Sequence, residues 1–195
     1  MRKLALAVAV VSLGAAALIA TAIAKNGGGG SGGGGFQANL DGYQEVPMSI
    51  STDGRAHLVI TNIDRNAKTI EYRLRIRDLE GELTPTPMTA IGQAHIHFSQ
   101  RHTNGGIAVF LCGGGDKPAC SETGTITGTI DTGDILALSG QGLEAGNFEE
   151  LLSAIRAGAT YGNVHTTLYP GGEVRGQIER GRHFFKGHRG KGKGD

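Results

Sequence analysis

The sequence has almost no excess of charge of either sign. It contains 19 lysine and arginine residues against 18 aspartate and glutamate residues, which gives a formal net charge of +1 at pH 7. Nucleic-acid-binding domains usually carry a strongly basic surface, so this balance argues against a nucleic-acid partner. After residue 25 the chain also lacks an apolar run long enough to span a membrane.

Common catalytic motifs are absent as well. Ser99 and Ser121 do not lie in a G-x-S-x-G context, and the glycine-rich stretch CGGGDKPAC lacks the Lys-Ser/Thr ending of a phosphate-binding loop. No catalytic residue is predicted, and the sequence favours a protein that is not an enzyme.

The chain has only two cysteines, Cys112 and Cys120. Outside the cytoplasm, two cysteines flanking a short loop that contains glycine and proline predict a disulfide bond. A metal site with two thiolates is the alternative.

The first 24 residues have the pattern of a secretory signal peptide. Arg2 and Lys3 precede an apolar run from Leu4 to Ala20, and the sequence Ala-Ile-Ala at 22–24 fits a cleavage site. The run is long for a signal peptide, so an uncleaved membrane anchor is the alternative. In both cases the rest of the chain is expected outside the cytoplasm, either secreted or periplasmic.

Composition divides the remainder into three parts. Residues 25–35 are predicted to be a flexible Gly/Ser linker, and residues 183–195 a basic, glycine-rich, disordered tail. Residues 36–182 are left as one domain, which is a sufficient length for a single core.

Alternation of apolar and polar residues dominates this domain and predicts β-strands. The clearest case is TIEYRLRIRDL, in which every second residue from Ile70 to Ile76 is apolar. Strands are predicted in FQANLDG, GRAHLVITNI and TIEYRLRIRDL, and near 90–98, 107–112, 124–130, 160–168 and 173–179.

One helix is predicted in NFEELLSAIRAG. Asn147 is placed to cap its N-terminus, with Glu150 three residues later, and Gly158 is placed to end it. About eight strands and one short helix indicate an all-β fold, an antiparallel Greek-key β-sandwich or barrel.

Three motifs occur in order along the domain. They are FQANLDGYQEVP (36–47), AHIHFSQRHTNGGIAVFLC (94–112) and YGNVHTTLYPGGEVRGQI (161–178). Together they resemble the CHRD domain, which is named after chordin and is also found in bacterial secreted proteins. Met48 stands where the family often has a second proline, a difference expected to affect only a local turn. The resemblance implies an extracellular module and supplies no catalytic activity.

Three histidines fall within these motifs. His95 and His97 are two residues apart, so on a strand they project from one face with Cα atoms about 6.5–7 Å apart. His165 lies on another predicted strand. If the two strands approach each other, the three imidazoles meet inside the β scaffold. Three neutral imidazoles suit copper or zinc, with a fourth position open or held by water.

Copper/zinc superoxide dismutases also have an H-x-H strand in a Greek-key barrel, so a dismutase-like enzyme is a further hypothesis. No convincing set of histidine and aspartate ligands for a second metal is found in the sequence.

A purely structural role is the competing interpretation of the histidines. A buried imidazole can be neutral, with each ring nitrogen hydrogen-bonded to the backbone or to a side chain. Glu45, Glu173 and Arg175 belong to the same motifs and would complete such a polar network, with Arg175 and one glutamate forming a partly buried ion pair. The sequence thus predicts an exported, non-enzymatic binding or structural module whose partner is a protein, a glycan or a metal ion.

Overall fold

The computed structural model describes residues 35–83 and 92–181. The predicted signal peptide or anchor, nearly all of the Gly/Ser linker, and the basic tail lie outside these residues. No helix within the described residues has the length and apolar character needed to cross a membrane.

Nine strands form one antiparallel sheet. They are β1 (Phe36–Asp41), β2 (Arg55–Asp64), β3 (Thr69–Arg77), β4 (Gln93–Phe98), β5 (Gly106–Cys112), β6 (Gly124–Ile130), β7 (Thr160–His165), β8 (Val174–Gln177) and β9 (Glu179–Arg180). The strand order is β5-β4-β7-β8-β1-β2-β3-β6, and the short β9 pairs with β1. The sheet curls into a nearly closed barrel, which confirms the predicted all-β class.

Strands β2 and β3 show the predicted alternation most clearly. The apolar residues of β3 are buried while Glu71 and the intervening arginines are exposed. Leu58 of β2 pairs directly with Leu74 of β3, and both have no exposed surface. The apolar rows of these strands form the barrel core, so burial of one face per strand fixes their register.

Strands β4, β7 and β8 differ because nearly all of their residues are buried on both faces. Ala94, Ile96 and Val164 belong to the apolar core. The residues that alternate with them are polar or aromatic, so the outer face of this part of the barrel is a second buried layer.

The predicted strand ends needed small corrections. The strand expected at 90–98 is described from Gln93, the one expected to reach residue 168 ends at His165, and the last one divides into β8 and β9. The chain turns after His165: the Thr166 amide donates to Tyr169 O, and the Thr166 hydroxyl donates to Glu173 and accepts from the Tyr169 amide.

One α-helix occurs in the described part of the chain, α1 (Phe148–Arg156), and it confirms the helix prediction. The side chain of Asn147 accepts a hydrogen bond from the Glu150 amide at 3.2 Å, which satisfies one of the amides left open at a helix start. The apolar side chains of Phe148, Leu151, Leu152 and Ile155 pack against the barrel core.

The two cysteines lie at the end of β5 and in the loop that follows. The structure places the Cys112 and Cys120 sulfur atoms at disulfide-bonding distance, with Cα atoms 4.9 Å apart. The pair closes the glycine-rich loop that the sequence predicted.

The side chain of Glu173 connects three separate loops through hydrogen bonds. Its Oε1 accepts from the Thr52 hydroxyl at 2.7 Å and the Glu80 amide at 2.8 Å. Its Oε2 accepts from the Gly81 amide at 3.2 Å and the Thr166 hydroxyl at 2.8 Å. The side chain has no exposed surface, so these four donors replace water around the carboxylate.

We expect Glu173→Gln to lower the free energy of unfolding by about 2–3 kcal/mol, because the amide leaves a buried donor unsatisfied and removes charge-assisted hydrogen bonds. Urea denaturation followed by circular dichroism measures this change. The matched control is Glu71→Gln on the exposed face of β3, which should alter stability by less than about 0.5 kcal/mol. An equally small effect for Glu173→Gln would contradict a stabilising role for the four hydrogen bonds that the carboxylate accepts.

Candidate metal centre

The pairing of β4 with β7 brings the three predicted histidines together. The two strands are antiparallel, with His95 opposite Asn163, His97 opposite Tyr161, and His165 opposite Gln93. His165 is thus the diagonal neighbour of His95 on the same face of the sheet. Two strands that are distant in sequence therefore supply one cluster.

The cluster lies on the outer face of the barrel and not in its interior, which corrects the sequence-based expectation. The histidines alternate with Ala94 and Ile96, and those two side chains occupy the core. The imidazoles are still buried, with His95 0%, His97 7% and His165 6% exposed. The loops after β4 and β7 contribute to the cover, since Gly105 and Pro170 contact the rings.

The rings are close enough to act on a common ligand. Ring centroids are 5.4 Å apart for His95 and His97, 5.1 Å for His95 and His165, and 5.8 Å for His97 and His165. One ring nitrogen from each histidine lies within 4.8 Å of the other two.

Each ring also makes one hydrogen bond to a carbonyl oxygen. His95 Nε2 lies 3.0 Å from Gln93 Oε1, His97 Nδ1 lies 3.0 Å from Gly105 O, and His165 Nδ1 lies 3.0 Å from Pro170 O. The amide of Gln93 is oriented because its Nε2 donates to Gly113 O. Carbonyl oxygens only accept, so each bonded ring nitrogen must carry the proton.

The tautomers follow from these bonds. In a neutral imidazole with one nitrogen protonated, the other nitrogen carries a lone pair. Those other nitrogens are His95 Nδ1, His97 Nε2 and His165 Nε2, and all three are buried without a hydrogen-bond partner among the described residues. The cluster therefore contains three oriented lone pairs that no neighbouring donor satisfies.

Burial keeps the rings neutral. Desolvation, reinforced by the other two histidines, lowers the pKa of His95 to about 2. Desolvation also lowers the pKa of His97 to about 4, against a smaller opposing effect of its bond to Gly105. The pKa of His165 is lowered in the same way, mainly by desolvation. Neutral imidazole is the form that binds metal ions.

An aromatic and cationic stack supports His97 from one side. The Tyr161 ring is nearly parallel to the His97 ring, at 4.8 Å between centroids and 5° between planes. The Arg175 guanidinium lies 3.5 Å from the centroid of the Tyr161 ring. Stacking on both faces of Tyr161 restricts the orientation of the adjacent imidazole.

Arg175 also holds the loop that contacts His97. Its guanidinium donates to Thr103 O at 2.8 Å, to Gln100 O at 3.4 Å and to Asn104 Oδ1 at 3.4 Å. Gly105, whose carbonyl oxygen accepts the hydrogen bond from His97 Nδ1, follows directly in the chain. One buried arginine thus positions His97 both by stacking and through the loop.

The predicted ion pair between Arg175 and a glutamate is wrong for the described residues. Neither Glu45 nor Glu173 lies within 4.0 Å of the guanidinium, which uses backbone carbonyls instead. Glu173 is saturated by its four donors. Burial raises the pKa of Glu45 to about 7, although the charge of Arg175 acts in the opposite direction.

Glu45 is packed between Asn163 and the turn that precedes β8. Gly172 has a φ of +128°, and a Cβ atom there would come within 2.7 Å of Glu45 Oε1 and 2.8 Å of Asn163 Nδ2. The position therefore requires glycine, because of its positive φ and because a side chain would have no space. This explains the second glycine of the PGGE motif.

Several site residues were not identified from the sequence. Gln93 could have been found, because extending the alternation back from His95 places it on the same face. The carbonyls of Gly105 and Pro170 carry no sequence signal, because any residue has a carbonyl. His57 and His102 lie outside the cluster, half-buried on β2 and exposed in a turn. His183 and His188 lie outside the described residues.

The cluster is slightly wider than a closed metal site. Metal–nitrogen bonds of about 2.0–2.1 Å place trigonal ligand atoms about 3.5 Å apart. The nitrogens here lie within 4.8 Å of one another, so an ion would draw the rings inward by less than about 1 Å each.

The chain belongs to the CHRD domain family, whose family model matches residues 36–178. This span contains strands β1 to β8, helix α1 and the three histidines of the cluster, and only the short β9 follows it. No curated protein and no solved structure matches the chain.

The lowered histidine pKa values should make the metal-free domain sensitive to acid. Folded His95 and His97 stay neutral down to about pH 2 and about pH 4, whereas in the unfolded chain they gain a proton near pH 6.5. The unfolded state then binds more protons, so stability should fall as pH drops from about 6.5 towards 4, by up to about 1.4 kcal/mol per pH unit per histidine. Glu45 acts oppositely, because its raised pKa of about 7 makes the folded state the better proton acceptor above pH 4.5.

Urea unfolding at several pH values, in the presence of a chelator, measures this slope. His165→Gln removes one titrating ring and should reduce the slope by up to about 1.4 kcal/mol per pH unit. Equal slopes for the wild-type protein and this variant would show that the ring is not held neutral by folding.

Proposed function

We propose that this CHRD domain is a non-enzymatic, extracytoplasmic module that binds one copper or zinc ion through His95, His97 and His165. The convergence of three neutral imidazoles with oriented lone pairs is the observation that carries the proposal. Copper and zinc both accept imidazole nitrogen as a ligand.

The hydrogen bonds favour a ligand site over a purely structural network. In a structural network both nitrogens of each buried ring would have partners. Here each ring has one partner, a carbonyl that fixes the tautomer, and one nitrogen without a partner among the described residues. Metal-binding histidines commonly donate their second nitrogen to a carbonyl or carboxylate in this manner.

Other features support a positioned site. The ligands project from paired strands, which are more rigid than loops, and His97 is stacked against Tyr161. The dismutase analogy remains weaker, because shared barrel architecture does not establish an activity. The three histidines are the only metal-ligating cluster found among the described residues.

Export is part of the proposal. The signal-peptide pattern of residues 1–24, the disulfide-distance cysteine pair and the family, which is of extracellular type, all support a secreted or periplasmic location. Copper and zinc are the ligands we propose there in preference to a protein or a glycan, for which no specific surface is identified.

We expect the metal-free mature protein to bind about one equivalent of copper or zinc, as measured by elemental analysis after removal of unbound metal. His97→Ala should abolish this binding by removing one of only three ligands. His57→Ala and His102→Ala are matched controls that should retain it. Circular dichroism verifies folding, and equal uptake by the wild-type protein and a His95/His97/His165 triple alanine variant would exclude the site.

We expect the exported protein to begin at Lys25, because cleavage after Ala24 follows from the Ala-Ile-Ala sequence. Intact-mass measurement of the protein from the extracytoplasmic fraction tests this. A mass that still includes residues 1–24 would favour the membrane-anchor alternative.

A further inference from the structure

The ligand set of the proposed centre carries no negative charge. The cluster consists of three neutral histidines, and no carboxylate or thiolate belongs to it among the described residues. The protonated ring nitrogens donate to the neutral oxygens of Gln93, Gly105 and Pro170. A carboxylate in any of these positions would partly neutralise a bound cation and make the ligand more basic.

Two permanent charges lie nearby: Arg175, which belongs to the aromatic stack, and Glu173, whose carboxylate accepts four hydrogen bonds, one of them from the hydroxyl of Thr166 beside His165. Arg175 lies over Tyr161, which in turn stacks on His97. Glu45 lies near Asn163 on the same buried face, and burial raises the pKa of Glu45 to about 7. At neutral pH this acid therefore supplies only part of a negative charge.

Burial makes uncompensated charge expensive. The three rings are at most 7% exposed, so a bound ion is largely removed from water. In the Born treatment, the cost of desolvation rises with the square of the charge, so a divalent ion costs about four times as much as a monovalent ion of equal size.

The number of ligands leads to the same conclusion. Zinc bound by three histidines needs a water molecule as its fourth ligand, and Cu²⁺ prefers a tetragonal arrangement. Monovalent copper has a filled d shell and is stable with three nitrogen ligands. The described residues provide three nitrogens within 4.8 Å of one another, with no fourth protein ligand in the cluster.

We infer that the three-histidine centre selects monovalent copper over Cu²⁺ and Zn²⁺, because it is buried, has three neutral ligands and contains no anionic group. This inference rests on the proposed function and specifies the ion for that same site. The reduction potential of the copper-loaded protein reports the selection directly, because preference for Cu⁺ over Cu²⁺ raises the potential.

The test begins with anaerobic loading of the full mature protein with Cu⁺ and, separately, with Cu²⁺ and Zn²⁺. Competition with chromophoric chelators gives the three affinities, and a redox titration gives the potential. We expect Cu⁺ to bind at least a hundredfold more tightly than Cu²⁺, which corresponds to a potential about 120 mV above that of the aqueous couple.

Gln93→Glu tests whether the absence of negative charge causes the preference for Cu⁺. It places a carboxylate on the proton of His95 Nε2 with little change in size, and it should reduce the preference for Cu⁺ at least tenfold, which lowers the potential by about 59 mV. Gln37→Glu is the matched control, because it adds the same charge on β1, which β8 separates from β7. Circular dichroism verifies the fold of both variants.

The outcomes separate the two proposals. If none of the three ions binds, the proposed function and this inference are both refuted. Binding of Zn²⁺ or Cu²⁺ as tightly as Cu⁺ would overturn only the inference. An identical potential for wild-type protein and Gln93→Glu would also overturn it, because the selection would then not depend on missing negative charge.

Discussion

The pairing of β4 with β7 is the constraint on which the site depends. Its register places Ile96 opposite Gly162 on the core side and His97 opposite Tyr161 on the outer side. A shift of one residue would turn the histidines into the apolar core and place Ala94 and Ile96 in the polar outer layer. Gly162 helps to hold this register, since a Cβ atom there would approach Leu40 and Leu58 at 3.3 Å. The apolar core therefore secures the positions of polar groups on the opposite face.

The outer face is organised by two buried charged residues with different partners. Glu173 collects amides and hydroxyls from three loops, whereas Arg175 donates to the carbonyls of residues 100 and 103. Neither charge needs the other, because each is satisfied by backbone dipoles or hydroxyls. Together they fix loops near the histidines, and those loops provide the carbonyls of Gly105 and Pro170 that determine the tautomers of His97 and His165. The chemistry of the proposed centre thus depends on hydrogen bonds one step away from its ligands.

Much of this arrangement could be predicted from local sequence patterns. The alternation in β3, the capping of α1 by Asn147 and the same-face placement of His95 and His97 follow from short-range geometry. The prediction of an ion pair for Arg175 was wrong. Membership of the same sequence motifs does not specify which loop carbonyls a long side chain will reach. The second buried layer on the outer face of β4, β7 and β8 was also not predicted. Alternation of polar and apolar residues normally indicates a solvent-exposed face, and here loops cover it.

The sequence by itself determined the strands, the single helix and the face of β4 on which the two histidines project, because side-chain direction repeats every two residues along a strand. Only the tertiary structure decided that β7 lies beside β4, that the imidazoles are outside the core, and that one nitrogen of each ring lies within 4.8 Å of the others. Those features depend on the path of the chain between distant segments. They also depend on the direction of backbone carbonyls at Gly105 and Pro170, which the identities of those residues do not encode.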